Sequence, residues 1–233
     1  AEDQPLPLER QLRIGIQIGK ALIAAHAEGV VHRDLKPDNV MVMDLYGERD
    51  FVKVLDFGIA RFVAADEDQR LTAEGAVIGT PAYMSPEQVH GTAPDLRTDL
   101  YALGIILFEM ATGEVPFAAP TTLSLLVKHV QDLPPRPSEV APGRVPPALE
   151  QLILQCLEKD PTARPANAEE VVRRLEACLP AARAAGAVAM GSPSGLLPEA
   201  TSTYDGPGRQ GGAGKPRRTA LWVAAGVVVA VGV

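Results

Sequence analysis

The stretch His32-Arg33-Asp34-Leu35-Lys36-Pro37-Asp38-Asn39 constrains the rest of the chain. It places a carboxylate, an ammonium and an amide oxygen between Asp34 and Asn39, and Pro37 stiffens the backbone between them. A loop without chemical duty has no need of that combination. The sequence after it narrows the geometry further. Val40-Met41-Val42-Met43 reads as a strand, Asp44 to Asp50 with Gly47 inside as a turn, and Val52-Lys53-Val54-Leu55 as the return strand, which leads into Asp56-Phe57-Gly58. Antiparallel pairing brings the outer neighbours of the two strands together. Asn39 and Asp56 then stand side by side at the open end of the hairpin and offer hard oxygen ligands to a divalent cation beside Asp34. A magnesium site next to a carboxylate is the expectation.

Helices must hold this loop. Leu8, Leu12, Ile16, Gly19 and Ile23 line one side of a helix from Leu8 to Glu28, while Ile14, Ile18 and Leu22 occupy the other, so it is expected to be buried and stopped by Gly29. His26 reads as a packing residue, and Val30-Val31 as a short strand into His32. Asp99 to Thr112, with Thr98 as N-cap and Gly113 as stop, is apolar nearly all round and is expected at the centre of the fold. It is too short for a membrane span. Thr122 to Gln131, Leu149 to Leu157 and Ala168 to Leu179 read as three further helices.

A net charge of −7 argues against nucleic acid as a partner, because Lys and Arg are scattered except near Lys215, Arg217 and Arg218. Cys156 and Cys178 stand alone, without metal-like spacing, and read as small core residues.

The loop resembles the catalytic loop of eukaryotic-type (Hanks-type) bacterial Ser/Thr protein kinases. Asp56-Phe57-Gly58 resembles their metal-binding motif, and Ser85-Pro86-Glu87 their Ala-Pro-Glu with Ser for Ala. The resemblance implies a protein kinase-like fold, here a mainly α-helical large lobe with a small β-hairpin at the catalytic loop. It also implies ATP and Mg2+ as cofactors and Ser/Thr hydroxyls of proteins as acceptors. Carried over, Asp34 accepts or orients the substrate proton, Lys36 neutralises charge on the transferred phosphoryl group, and Asn39 with Asp56 holds magnesium. Asp38 shapes the loop. Thr80 would bond toward Asp34 and Lys36 and, with Lys36, favours Ser/Thr over Tyr acceptors. Asp99 would bond back to the catalytic-loop backbone, and Arg164 would pair with Glu87 in the core. Residues between Asp56 and Glu87 correspond to the activation segment, where phosphorylated Thr72 would pair with Arg33; a solvated, unmodified threonine is the alternative.

The resemblance covers roughly Leu6 to Leu179, so the expected organisation is a partial kinase domain over 1–179 and a Gly, Ala, Pro and Ser-rich linker with a basic cluster over 180–218. The first part of a transmembrane helix follows over 219–233. A span needs about 20 apolar residues. That order implies a single-pass protein of the cell membrane with its kinase domain on the cytoplasmic side, and dimerisation as a route to activation. A sticky apolar tail is the alternative for 219–233. Ahead of His32 there is no Gly-x-Gly-x-x-Gly loop and no strand lysine with a helix glutamate partner, and residue 1 is Ala, so the chain is expected to be cut at its front end and to bind ATP poorly alone. Two other classes stay open. One is a pseudokinase or binding scaffold, against which intact Asp34, Lys36, Asn39 and Asp56 stand. The other is a small-molecule kinase, against which Gly79-Thr80-Pro81 and Ser85-Pro86-Glu87 stand.

Overall fold

Helix α1 (Leu8–Ala27) buries Leu12, Ile14, Ile16, Ile18 and Leu22 together with Gly15 and Gly19, so only a narrow polar strip is left for solvent. The structure, a computed structural model, describes residues 6–45, 47–57 and 81–190. Within these, α1 is followed by a turn at Glu28 and Gly29, the latter at φ 69° where a side chain would be strained. Val30 and Val31 then run without strand pairing into the loop that begins at His32, in place of the expected short strand. A 3-10 turn, Pro37–Asn39, leads into β1 (Val40–Leu45), which pairs antiparallel with β2 (Glu48–Val54). The partners include Val40 with Val54 and Val42 with Val52. Both strands are longer than the sequence suggested and the turn tighter, because the register shift between Met43 and Leu45 lets pairing continue to Leu45 opposite Glu48.

In the segment from residue 81, a 3-10 turn (Pro81–Tyr83) and the short helix α2 (Pro86–Val89) precede the long helix α3 (Leu96–Thr112). Leu100, Tyr101, Leu103, Ile105 and Phe108 of α3 are all inaccessible to solvent, which makes it the hub of the core. Its N-cap is Asp95, whose carboxylate accepts the Arg97 N–H; Thr98, the residue expected there, lies inside the helix with its hydroxyl turned to another task. Helices α4 (Thr122–Gln131), α5 (Pro137–Val140), α6 (Pro147–Cys156) and α7 (Ala168–Met190) complete the described chain, with a 3-10 turn at Pro161–Ala163 before α7.

The helices approach closely where side chains are missing. A Cβ on Gly19 of α1 would sit 2.5 Å from Val172 of α7, and one on Gly104 of α3 would sit 2.6 Å from the Cβ of Cys156. Cys156 is therefore a packing residue under α3, and burial pushes its thiol up to about 12. Helix α7 also runs past Leu179, through Pro180, to Met190, into the stretch expected to be linker. Residues 181–190 are rich in alanine, the strongest helix former, and the helix keeps contact there: Ala182 is buried and Arg183 donates to Glu9 of α1 at 3.0 Å. The rest of the linker, the basic cluster and residues 219–233 lie outside the described residues. Among the described residues no helix is long and apolar enough to cross a membrane.

Candidate active site

A buried carboxylate anchors the loop that begins at His32. Asp99, in the first turns of α3 and closed to solvent, accepts the Arg33 N–H on Oδ1 at 2.9 Å and the His32 N–H on Oδ2 at 2.8 Å. A third partner completes it: His26 Nε2 lies 2.8 Å from Oδ2. His26 is thus more than filler at the end of α1, since it ties that helix to the carboxylate that holds the loop. The sequence offers no local sign of this, because His26 and Asp99 are 73 positions apart. A buried carboxylate without donors would be costly, and three donors leave it well satisfied. Gripped in this way, Arg33 keeps a left-handed backbone at φ 68°, a conformation that costs a non-glycine residue roughly 1–2 kcal/mol.

His32 makes the second tie. Its Nδ1 accepts the Asp34 N–H at 3.3 Å, which places the ring proton on Nε2, and Nε2 donates to the Leu55 carbonyl at 2.8 Å. The ring also packs on Phe57, centroids 4.7 Å apart. One fully buried imidazole therefore fastens Asp34 to the strand end that carries Asp56. His32 carries no role of its own among the sequence-based expectations; its place at the head of the motif is the sequence signal for this tie.

Asp34 presents its carboxylate at the mouth of the hairpin. Lys36 Nζ lies 2.9 Å from Asp34 Oδ2, and Asn39 Nδ2 donates to the Asp34 carbonyl at 2.8 Å and to Oδ2 at 3.3 Å. Asn39 is buried and its Nδ2 faces Asp34, so Oδ1 is the amide atom able to accept a cation. The Leu55 N–H bonds to the Asn39 carbonyl at 2.8 Å, extending the hairpin ladder one step so that Asp56 emerges next to the Asn39 turn. Asp56 is exposed and, at φ 59°, is bent out of the strand line. Two oxygen donors at an open rim suit magnesium, which binds through one or two protein ligands and completes its shell with waters and phosphate oxygens. Among the described residues no group of three or more His, Cys, Asp or Glu forms a metal cage, as that mode of binding requires none. Asp38 lies exposed in the 3-10 turn between Lys36 and Asn39.

Below the loop stands the second buried charge. Arg164 Nη1 and Nη2 grip both oxygens of Glu87 at 2.8 and 2.9 Å, and the Thr98 hydroxyl donates to Oε1 at 2.8 Å. The remaining donors of Arg164 reach the carbonyls of Glu158, Lys159 and Arg97. Burial by itself would raise the Glu87 carboxyl, but the guanidinium outweighs it and holds the group below the usual carboxylate range. Thr72 and Thr80, like Gly58, lie outside the described residues.

Comparison with known proteins shows the family. Residues 3–174 match the family model described as protein kinase domain. The serine/threonine-protein kinase pkn3 of Myxococcus xanthus is 47% identical over 179 residues, 76% of this chain and 33% of its own. A probable serine/threonine-protein kinase of Clostridium acetobutylicum is 43% identical over 174 residues, 75% of this chain and 25% of its own. PknD of Mycobacterium tuberculosis is 44% identical over 160 residues, 69% of this chain and 23% of its own. The chain thus spans a third or less of the length of these curated relatives.

Proposed function

Because the chain belongs to the protein kinase domain family, we propose that it is the large lobe of a Ser/Thr kinase that transfers the γ-phosphate of ATP to protein hydroxyls. The observation that carries this reading is the Asp34 carboxylate fixed between Lys36 and Asn39 at the hairpin rim, with Asp56 beside it. Asp34 orients the acceptor hydroxyl and takes its proton. Lys36, already 2.9 Å from that carboxylate, adds positive charge where the phosphoryl group passes. Asn39 Oδ1 and Asp56 hold magnesium, and the metal, when bound, supplies charge neutralisation of the nucleotide phosphates. Thr80 completes the acceptor side, and Thr72 is the regulatory phosphosite that Arg33 answers. The chain's contribution is therefore placement and electrostatics, in keeping with phosphoryl transfer, where covalent chemistry by the protein is slight.

The partner groups that grip the nucleotide from the other side, a glycine-rich loop and a strand lysine, belong to a preceding lobe in this reading. Residues 215–218 and 219–233 hold the kinase at the cytoplasmic face of a membrane, the cations staying inside. ATP-dependent phosphorylation of a generic Ser/Thr protein by the two-lobed enzyme, lost in Asp34→Asn, is the expected result. Phosphate transfer that survives Asp34→Asn would defeat the catalytic assignment, and absence of any transfer by the native enzyme would favour a binding scaffold. Carbonate extraction of a polypeptide continued beyond Val233 should leave it in the membrane pellet; full solubility would defeat the anchor.

A further inference from the structure

Gln88 touches the catalytic loop from outside it. Its Nε2 donates to the Arg33 carbonyl at 2.6 Å, across 55 positions of sequence. Arg33 is the residue held at φ 68°, and its N–H is already taken by Asp99. Both flanking peptides of the strained residue are therefore gripped, one by a carboxylate and one by an amide. The carbonyl that Gln88 holds belongs to the Arg33–Asp34 peptide, whose N–H donates to His32 Nδ1 at 3.3 Å. A peptide unit is planar, so holding its oxygen and its nitrogen fixes the plane that enters Asp34, and Asn39 Nδ2 on the Asp34 carbonyl holds the plane that leaves it; the two together set the direction of the Asp34 Cα–Cβ bond.

The side chain of Gln88 is not free to turn away. Its Oε1 faces two donors, the Ser85 N–H at 3.1 Å and the Ser85 hydroxyl at 3.2 Å. A backbone N–H on one end and a carbonyl on the other leave one orientation of the amide that satisfies both. Ser85 is closed to solvent, and Glu87, between the two, is bolted to Arg164. Successive residues of α2 thus have separate tasks: Glu87 anchors the helix downward into the core, and Gln88 reaches across to the loop. An N-terminal capping box accepts Glu as readily as Gln, so the cap alone does not require the amide.

We propose that Gln88 is a positioning residue for phosphoryl transfer: its amide grips the carbonyl of the Arg33–Asp34 peptide and so fixes the direction in which Asp34 presents its carboxylate. This rests on the kinase reading above. The donor, not the cap, is what matters. Gln88→Glu separates the two, since the carboxylate keeps an oxygen for Ser85 but turns a second oxygen on the Arg33 carbonyl, where only its protonated form can donate.

The test uses the two-lobed enzyme and two measurements. At pH 7.5 Gln88→Glu should lower kcat on the order of tenfold, with the KM for ATP unchanged, because Asp34 is misaimed while the nucleotide contacts stay intact. Relative to the parent enzyme at each pH, its kcat should recover as acidification protonates the new carboxyl. Gln88→Leu should lose activity at every pH, and its Asp34 amide should exchange with deuterated solvent about tenfold faster in the absence of nucleotide. If Gln88→Glu keeps the parent kcat at pH 7.5, Gln88 is only a helix cap and the proposal is overturned. A parent enzyme that transfers no phosphate refutes the kinase reading instead. In that case amide exchange decides Gln88: faster exchange in Gln88→Leu supports its grip on the peptide, and unchanged exchange overturns it.

Discussion

Removing Glu87 should be among the most damaging single changes in this domain, for a reason that can be worked from its neighbours. The Arg164 side chain is closed to solvent and has five N–H donors, of which two meet Glu87 and the others meet backbone carbonyls. Glu87→Ala leaves the guanidinium charge buried with no counter-charge and strands the Thr98 hydroxyl, which loses its acceptor. Breaking one side of a buried pair costs about 3–5 kcal/mol. For a domain of this size that corresponds to a fall in Tm of roughly 6–20 °C. Replacing both partners with apolar residues of similar volume should cost far less, since no charge is then left unpaired. Urea unfolding of Glu87→Ala, Arg164→Met and the double variant gives the coupling energy directly. A coupling below about 1 kcal/mol, the range of exposed pairs, would refute the argument that burial makes this pair costly to break. The sign with pH is also fixed. The folded carboxyl lies below its ordinary value of 4.5, so its stabilisation is complete above that pH and is lost as pH falls through the folded value.

Other expectations follow from the same contacts. His26→Ala removes one of three donors to the buried Asp99 carboxylate and should destabilise the fold by about 1–3 kcal/mol in denaturant titration; a neutral result would mean that the other two donors suffice. Asp34→Asn should do the reverse, lowering kcat by about 10²–10⁴. Because its ion pair with Lys36 is half exposed, the stability should change by less than about 1 kcal/mol, as thermal melts would show. His129 is buried beside Lys159 with its Nδ1 3.0 Å from the Tyr101 hydroxyl, and burial, then the nearby ammonium, pushes its pKa down to about 4 from an ordinary 6.5. The unfolded chain therefore binds the proton first. Stability should fall as pH drops from 6.5 toward 4, by up to about 3 kcal/mol, and His129→Phe should flatten that slope in unfolding curves taken across the range.

Much of the site was readable before any coordinates because its chemistry is local. Asp34, Lys36 and Asn39 sit within one short loop, and antiparallel hairpin pairing returns the chain to Asp56 next to Asn39, so short-range geometry is enough to bring these groups to one rim. Helix α1 was legible for a similar reason, since apolar residues on nearly every face leave burial as the only outcome. Boundaries fared worse. Asp95 displaced Thr98 as the cap of α3 because the Thr98 hydroxyl had a better acceptor in Glu87, 11 positions earlier in sequence but on another element. Pro180 did not end α7, since beyond it Ala182 is still buried and Arg183 still reaches Glu9 of α1.

The sequence by itself determined which chemical groups are present and which of them a loop and a hairpin bring together, since bond geometry and strand pairing act over a few residues. Only the tertiary structure decided the partners that hold those groups still. His26 with Asp99, Glu87 with Arg164, and Gln88 with the Arg33 carbonyl join positions 55 to 77 apart. A buried carboxylate or carbonyl requires a donor, but that requirement does not say which one. The packing of α1, α2 and α3 around the loop makes the choice, because it alone sets which donor arrives within hydrogen-bond distance when the apolar faces close.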